Sequence, residues 1–430
     1  MDLPAPLRRL PVVTALVGLG LATAPACVVE PAETCDANCE AEPEDAFRGG
    51  IVSDDVIASF TTEELIAHLE EENALIATAA GVEFPVDVHR VVYDTIDAKG
   101  ERTVASGIVA IPSDATHDMP LMSYQHGTMF RITDAPSINE NGERIVCEAL
   151  AGAGYLTVAP DYLGLGQAAL DNDMPLHPYI HADSEATATI DLMRAARTIA
   201  TDAGFSLSGD VFLAGYSQGG HATMATAKAI GTDADLSAEF TIKGAAPMAG
   251  PYDVSGVQAE VIIADEEYTE PAYLPYIIFA WNEVYGVFED PSEIFIEPYA
   301  TDLPPLFDGT HSGRDVENAM TQQPNLILQP DLLEIIKNGD AHPMRDALEA
   351  QDLTDWAPDF PVRMYHCEGD MTVLYGNAEV AQEAFEANGS TTTEVVSVGA
   401  GLNHVDCALP TLLDSKGWLD DLVRGGGDAT

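Results

Sequence analysis

The stretch Val211-Phe212-Leu213-Ala214-Gly215-Tyr216-Ser217-Gln218-Gly219-Gly220-His221 decides the fold. An apolar run ends in glycines that flank a serine, and the alanine-rich segment Ala222 to Ile230 follows at once. That pattern predicts a buried strand, a sharp turn and a helix. In a Gly-x-Ser-x-Gly elbow the serine takes a strained backbone conformation, and the glycines stand where a side chain would strike the neighbouring strand or helix. Gly220 adds further room. The hydroxyl of Ser217 is thereby pushed into the open. The five letters alone are a weak signal; the strand before them and the helix after them give it weight.

A nucleophilic serine needs a base, a carboxylate to orient that base, and donors for the oxyanion. Where this elbow occurs, the chain order is serine, acid, histidine. Of eleven histidines only His311, His342, His366 and His404 follow Ser217. Val362 to His366 reads as a strand ending in Cys367-Glu368-Gly369-Asp370, which selects Asp370 as the acid with Glu368 in reserve. Thr393 to Val398 reads as the last strand, and Gly399 to Asn403 delivers His404. His366 lies within a strand and His342 within an insert, so His404 is the expected base. Upstream, the short strand Leu121 to Tyr124 runs into Gln125-His126-Gly127-Thr128. Gly127 and Thr128 are the expected first oxyanion loop, with the N–H of Gln218 as the second donor and His126 in a structural role. This chemistry calls for no metal and no cofactor.

The remaining pattern predicts an α/β fold: a mostly parallel central sheet, helices on both faces, and an inserted helical cap. Residues 51–250 and 358–430 form the two parts of the core, and 251–357 the cap. Thr61 or Thr62 caps a first helix carrying Leu65, Ile66, Leu69, Ala74 and Ile76. Val86 to Tyr93 and Thr103 to Ile111 alternate as a hairpin about Asp97 to Gly100. Tyr155 to Pro160 opens onto Asp161-Tyr162-Leu163-Gly164-Leu165-Gly166, which lacks the spacing of a dinucleotide-binding loop and reads as a rim, with Asp161 and Tyr162 beside the site. His177 and His181 are near each other without a third ligand, so packing or rim roles are expected. Within the insert, Tyr273, Tyr276, Phe279 and Trp281 are the expected lid and pocket aromatics, part of them packing the cap onto the core. Leu409 to Val423 closes the domain as an amphipathic helix.

Eighteen Lys and Arg against 71 Asp and Glu give a formal charge of −53. Such a surface repels phosphate backbones, which excludes nucleic acid as a partner, and it suits life in salty surroundings. At the start, Arg8 and Arg9 precede the apolar run Leu10 to Ala22, too short for a membrane span, and Ala24-Pro25-Ala26 forms a small-x-small cleavage pattern. Residues 1–26 are therefore read as a signal peptide and 27–50 as an acidic tether. Export leaves the protein secreted, periplasmic or held at the cell surface, since Cys27 is also a candidate lipid-attachment site. Export permits disulfides. Cys35 and Cys39 can close a small loop, whereas a Cys367–Cys407 bridge would staple together the loops bearing Asp370 and His404; Cys147 is left as a buried thiol.

Taken together, Tyr-Gln-His-Gly-Thr at 124–128, Pro-Asp-Tyr-Leu-Gly-Leu-Gly at 160–166, Gly-Tyr-Ser-Gln-Gly-Gly at 215–220, Gly-Asp at 369–370 and Asn-His at 403–404 resemble the secretory lipase family of serine α/β-hydrolases. The resemblance spans roughly residues 85–425 and implies a lipase or carboxylesterase with a lid between Ser217 and Asp370. Val373-Leu374 stands where many relatives carry Val-Pro. The expected activity is cleavage of a small-molecule ester or lipid through an acyl-enzyme. The rivals are a prolyl-oligopeptidase-like serine peptidase, against which stands the lack of a propeller-like run of strands, and an inactive surface binding protein on the same fold.

Overall fold

The structure is a computed structural model that describes residues 46–425. The expected signal peptide, Cys27, Cys35, Cys39, most of the expected tether and the last five residues lie outside the described residues.

Nine strands form one sheet: β1 (Ile51–Phe60), β2 (Val86–Ile96), β3 (Arg102–Pro112), β4 (Met119–Gln125), β5 (Leu156–Pro160), β6 (Leu207–Tyr216), β7 (Thr241–Met248), β8 (Val362–Cys367) and β9 (Thr393–Gly399). Their order is β1-β2-β3-β5-β4-β6-β7-β8-β9. The pairs up to β3–β5 are antiparallel and the others parallel. All seven residues of β4 are buried, as a parallel strand covered on both faces requires. Side chains alternate across the sheet. Leu121, Val211 and Leu213 enter a core shared with the helices Ala182–Asp202, Gln218–Thr232 and Gly376–Ala387. Met122, Phe212 and Ala214 enter a second core with the helices Gly142–Gly152 and His404–Val423. Because β4, β6, β8 and β9 run in one direction, the loops that follow them, carrying Gly127, Ser217, Asp370 and His404, emerge at the same edge.

Residues 251–357 contribute helices and turns, among them Tyr273–Tyr285, and pack about a third apolar cluster that includes Trp281, Phe295 and Leu303. Three local features depart from the sequence reading. β1 lacks apolar alternation, carries Asp54 and Asp55, and lies at the sheet edge with much of its surface in solvent. The first helix is capped by Thr61 with Glu64 returning the bond, but it stops at Asn73, whose side chain caps a separate short helix. The closing helix begins at His404 rather than near Leu409, because Asn403 caps it by accepting from the N–H of Asp406 at 2.9 Å.

The loop after β5 also corrects an expectation. Asp161 and Tyr162 do not form a rim; they are buried beneath the edge where the loops meet. Asp161 accepts from Ser106 Oγ at 2.6 Å and from the N–H of Ser137 at 3.0 Å. Burial still raises its pKa, these hydrogen bonds opposing the shift. Tyr162, at φ 65°, donates to the carbonyl of His126 and packs against its ring. Gly166 sits at φ +69°, and a Cβ there would lie 1.9 Å from Asp161 Oδ2. Gly166→Ala should therefore lose about 2–4 kcal/mol of stability, from the backbone conformation and the collision together. Urea unfolding of the purified variant checks this; an unchanged midpoint would contradict it.

Candidate active site

The strand-to-helix turn leaves Ser217 at φ 61° and ψ −119°, outside the usual regions for a side-chain-bearing residue. Packing enforces it. A Cβ on Gly219 would stand 1.9 Å from the carbonyl oxygen of Gln125, one on Gly215 2.4 Å from that of Gly219, and one on Gly220 2.3 Å from that of Met248. The N–H of Ser217 donates to Met248 O at 2.9 Å.

Ser217 Oγ lies 2.8 Å from His404 Nε2, and His404 Nδ1 lies 2.5 Å from Asp370 Oδ2. Asp370 is 1% exposed, and its second oxygen accepts from the N–H groups of Thr372 and Val373, each at 2.9 Å. Burial pushes its carboxyl up, but hydrogen bonds from His366 and His404 outweigh this and hold it well below the usual carboxylate range. His366, expected only as a strand residue, lies with Nε2 3.3 Å from Asp370 Oδ2 and 2.8 Å from Val373 O. Tyr216 donates its phenol to the carbonyl of His404 at 2.5 Å. Cys367 and Cys407 are joined by a disulfide that ties the end of β8 to the helix His404–Val423. Cys147 is a buried free thiol.

The expected oxyanion loop is brought to Ser217, with one revision. The N–H of Gly127 points to Glu143 Oε1 at 3.3 Å, so it is already engaged; Glu143 also accepts from Tyr124 Oη at 2.7 Å. A Cβ built on Gly127 would meet Ser217 Cβ at 3.9 Å, an ordinary contact, which places this loop beside the serine. Among the described residues, the backbone N–H groups of Thr128 and Gln218 have no protein acceptor. The Thr128 hydroxyl lies 2.9 Å from Tyr179 Oη.

Above the serine is a small cavity lined by Tyr179, Ile180, Gln218, Val254, Tyr273 and Ile277, among others. Of the four lid aromatics only Tyr273 reaches it. Tyr276 stacks on Tyr179 at 4.4 Å and donates to Met129 O. Trp281 is fully buried and donates to the carbonyls of Tyr179 and Ile180. Phe279 packs on Phe295 and Phe307. Tyr276 and Trp281 thus hold the insert on the core, because Tyr179 and Ile180 offer an aromatic face and backbone acceptors, whereas Phe279 packs within the insert itself. A separate pocket near Asp97, Lys99 and Glu283 includes none of Ser217, Asp370 and His404. His68, Glu140 and Glu148 bring metal-type donors together elsewhere, but Arg144 Nε sits 2.9 Å from Glu148, so an ion pair accounts for the cluster.

Glu143 and Glu185 are site residues that sequence reasoning passed over. Each is an ordinary glutamate in a helical first turn, and nothing in one dimension marks it.

A family model described as Secretory lipase matches residues 132–264. The rice cell wall degrading esterase LipA from Xanthomonas oryzae, in a ligand-bound crystal form, is 31% identical, with a TM-score of 0.76 over 88% of this chain and 100% of that one. The chain belongs to the secretory lipase family. This family member is thus a hydrolase of the lipase and esterase type. It is also similar to a protein of Legionella pneumophila subsp. pneumophila str. Philadelphia 1, at 29% identity and a TM-score of 0.79 over 88% of this chain and 99% of that one. Candida antarctica lipase A in its closed state shares the fold at 16% identity, with a TM-score of 0.61 over 90% of this chain and 86% of that one. No curated protein matches the chain.

The depressed pKa of Asp370 carries a sign for stability. A carboxylate favoured in the folded state contributes stability that is full above the unfolded value, roughly 3.9, and lost as pH falls through the lower folded value. The stability gap between the native protein and Asp370→Asn should be constant near neutrality and shrink below about pH 4. Urea unfolding at stepped pH measures it, and a gap independent of pH down to 3 would contradict the assignment.

Proposed function

We propose that the protein is an exported serine esterase that cleaves neutral acyl esters of short to medium chain through Ser217, His404 and Asp370. The observation that carries this reading is the continuous line of hydrogen bonds from Asp370 through His404 to Ser217 Oγ, 2.5 Å and then 2.8 Å long, at the foot of a cavity. Asp370 fixes Nδ1 of His404 as the protonated nitrogen, which leaves Nε2 free to accept. As Ser217 Oγ attacks the ester carbonyl carbon, its proton passes to Nε2 and the carbonyl oxygen becomes an oxyanion. The free N–H groups of Gln218 and Thr128 are suited to that oxygen, and preorganised donors of this kind need no reorientation during reaction. Collapse breaks the bond to the alcohol oxygen, and His404 returns the proton to the departing alcohol. Water then attacks the acyl-enzyme, gives its proton to His404, and the acid leaves as Ser217 regains its hydrogen.

Residues 251–357 act in this reading as the cap, with Tyr273 and Ile277 forming the roof above the serine. The modest size of the cavity favours small acyl groups, and its apolar walls favour uncharged ones. Export is supported by the basic, apolar and small-residue order of residues 1–26. Ser217→Ala should lose at least about a thousandfold in kcat on p-nitrophenyl esters and all labelling by a fluorophosphonate, with its unfolding midpoint preserved. A graded series of acyl lengths, run beside aminoacyl amides, checks the substrate class. Near-native ester turnover by the folded variant, or faster cleavage of the amides, would overturn the proposal.

A further inference from the structure

Gln218 follows the proposed nucleophile and opens the helix Gln218–Thr232, so its backbone N–H stands next to Ser217. Its side chain is buried, and its amide oxygen has no hydrogen-bond partner among the described residues. The whole polar hold on it therefore passes through Nε2, which lies 2.9 Å from Glu185 Oε1 and 2.8 Å from His177 Nε2. Two amide hydrogens meet two acceptors. His177 can accept at Nε2 because its Nδ1 donates to Leu163 O at 2.8 Å, and burial lowers its pKa to about 3, so the ring stays neutral. Glu185 is held in turn: its other oxygen lies 2.6 Å from His221 Nδ1, and His221 Nε2 faces the carbonyl of Gln351 at 3.2 Å. Gln351 accepts from the N–H of Ala182 and donates to Tyr285 Oη, which belongs to the helix Tyr273–Tyr285.

We propose that Glu185 and His177 are positioning residues for ester hydrolysis, fixing the Gln218 side chain so that its backbone N–H stays aimed at the oxyanion. The proposal rests on the reading of Ser217 as nucleophile. The physical need arises from the turn itself. Ser217 holds a positive φ at a cost; the packed glycines hold the elbow as a whole, and the hold on the Gln218 side chain adds a restraint on the fine orientation of the peptide that follows the serine. An oxyanion donor works only within a narrow distance of its target, so a small rotation of that peptide removes much of its effect. The clamp acts on the transition state and leaves substrate binding alone, because the donor meets charge only after attack begins.

Gln218→Met keeps the side-chain length and the backbone N–H but cannot donate. Glu185→Ala removes one acceptor. Glu185→Gln retains a carbonyl oxygen for Gln218 and an amide for His221 Nδ1, and serves as the rescue. The first two should lower kcat by about 10- to 100-fold with KM within about twofold, less than outright loss of a donor. Affinity for an alkylboronic acid, which forms a tetrahedral adduct on the serine, should fall by the same factor. Glu185→Gln should stay within about threefold of the native enzyme. Should Glu185→Ala fail to fold, by circular dichroism, Gln218→Met decides alone. A folded Gln218→Met with native kcat, or one whose kcat falls while boronate affinity holds, overturns the proposal. Active Ser217→Ala would instead show that the underlying reading had failed.

Discussion

The contact on which the site depends is the approach of the elbow backbone to the end of β4, where Gly219 has no room for even a methyl group beside the carbonyl of Gln125. That contact does two things at once. It presses the start of the helix Gln218–Thr232 against the strand that leads into Gly127 and Thr128, so main-chain packing brings the two free N–H groups proposed for the oxyanion to one place, and the proposed hold on the Gln218 side chain keeps the second one aimed. It also keeps Ser217 at its positive φ, which lifts the hydroxyl clear of the sheet. Such strain persists only where surrounding structure over-determines it, and here β4, β7 and the helix all contribute.

The partners of Ser217 arrive by a different route. Asp370 lies on the loop after β8 and His404 opens the helix that follows the loop after β9, and loops and helix ends are the less stable parts of a fold. Several restraints compensate: the Cys367–Cys407 bridge, the N-cap at Asn403, the phenol of Tyr216 on His404 O, and two N–H groups on Asp370. The insert joins in, since Tyr268 Oη donates to Thr372 O at 2.7 Å and Gln258 Nε2 to the same oxygen at 3.0 Å. The segment over the cavity is thus fastened to the loop that carries the acid. A buried carboxylate is tolerable only with such a full complement of donors.

Charge is handled differently at the surface and at the centre. Among the described residues most carboxylates lie in solvent, where water screens them. Inside, Asp370 faces His404 and His366, and Glu185 faces His221 and Gln218, so each buried carboxylate meets a nitrogen donor. The long-range field disfavours anionic partners, while local pairing leaves the chemistry near Ser217 insulated from it.

The mostly parallel sheet and the elbow were legible because each depends on local pattern. The chain-order rule that goes with this elbow singled out residues 370 and 404, whose side chains form a hydrogen-bonded line to Ser217 in the order expected. What escaped depended on burial. β1 was invisible because an edge strand in solvent needs no apolar alternation. The loop Asp161 to Gly166 shows the converse. A polar residue and glycines just past a strand suggest a solvent-facing turn, yet Asp161 is wholly enclosed, and Gly166 is required because the carboxylate occupies the space a side chain would need. The same ambiguity covers the aromatics of the insert. Tyr273 and Tyr276 are about one helical turn apart and both pack near Tyr179, yet Tyr273 lines the cavity while Tyr276 stacks flat on the Tyr179 ring. Spacing along a chain says which side chains share a face; what that face meets is set by a segment a hundred residues away.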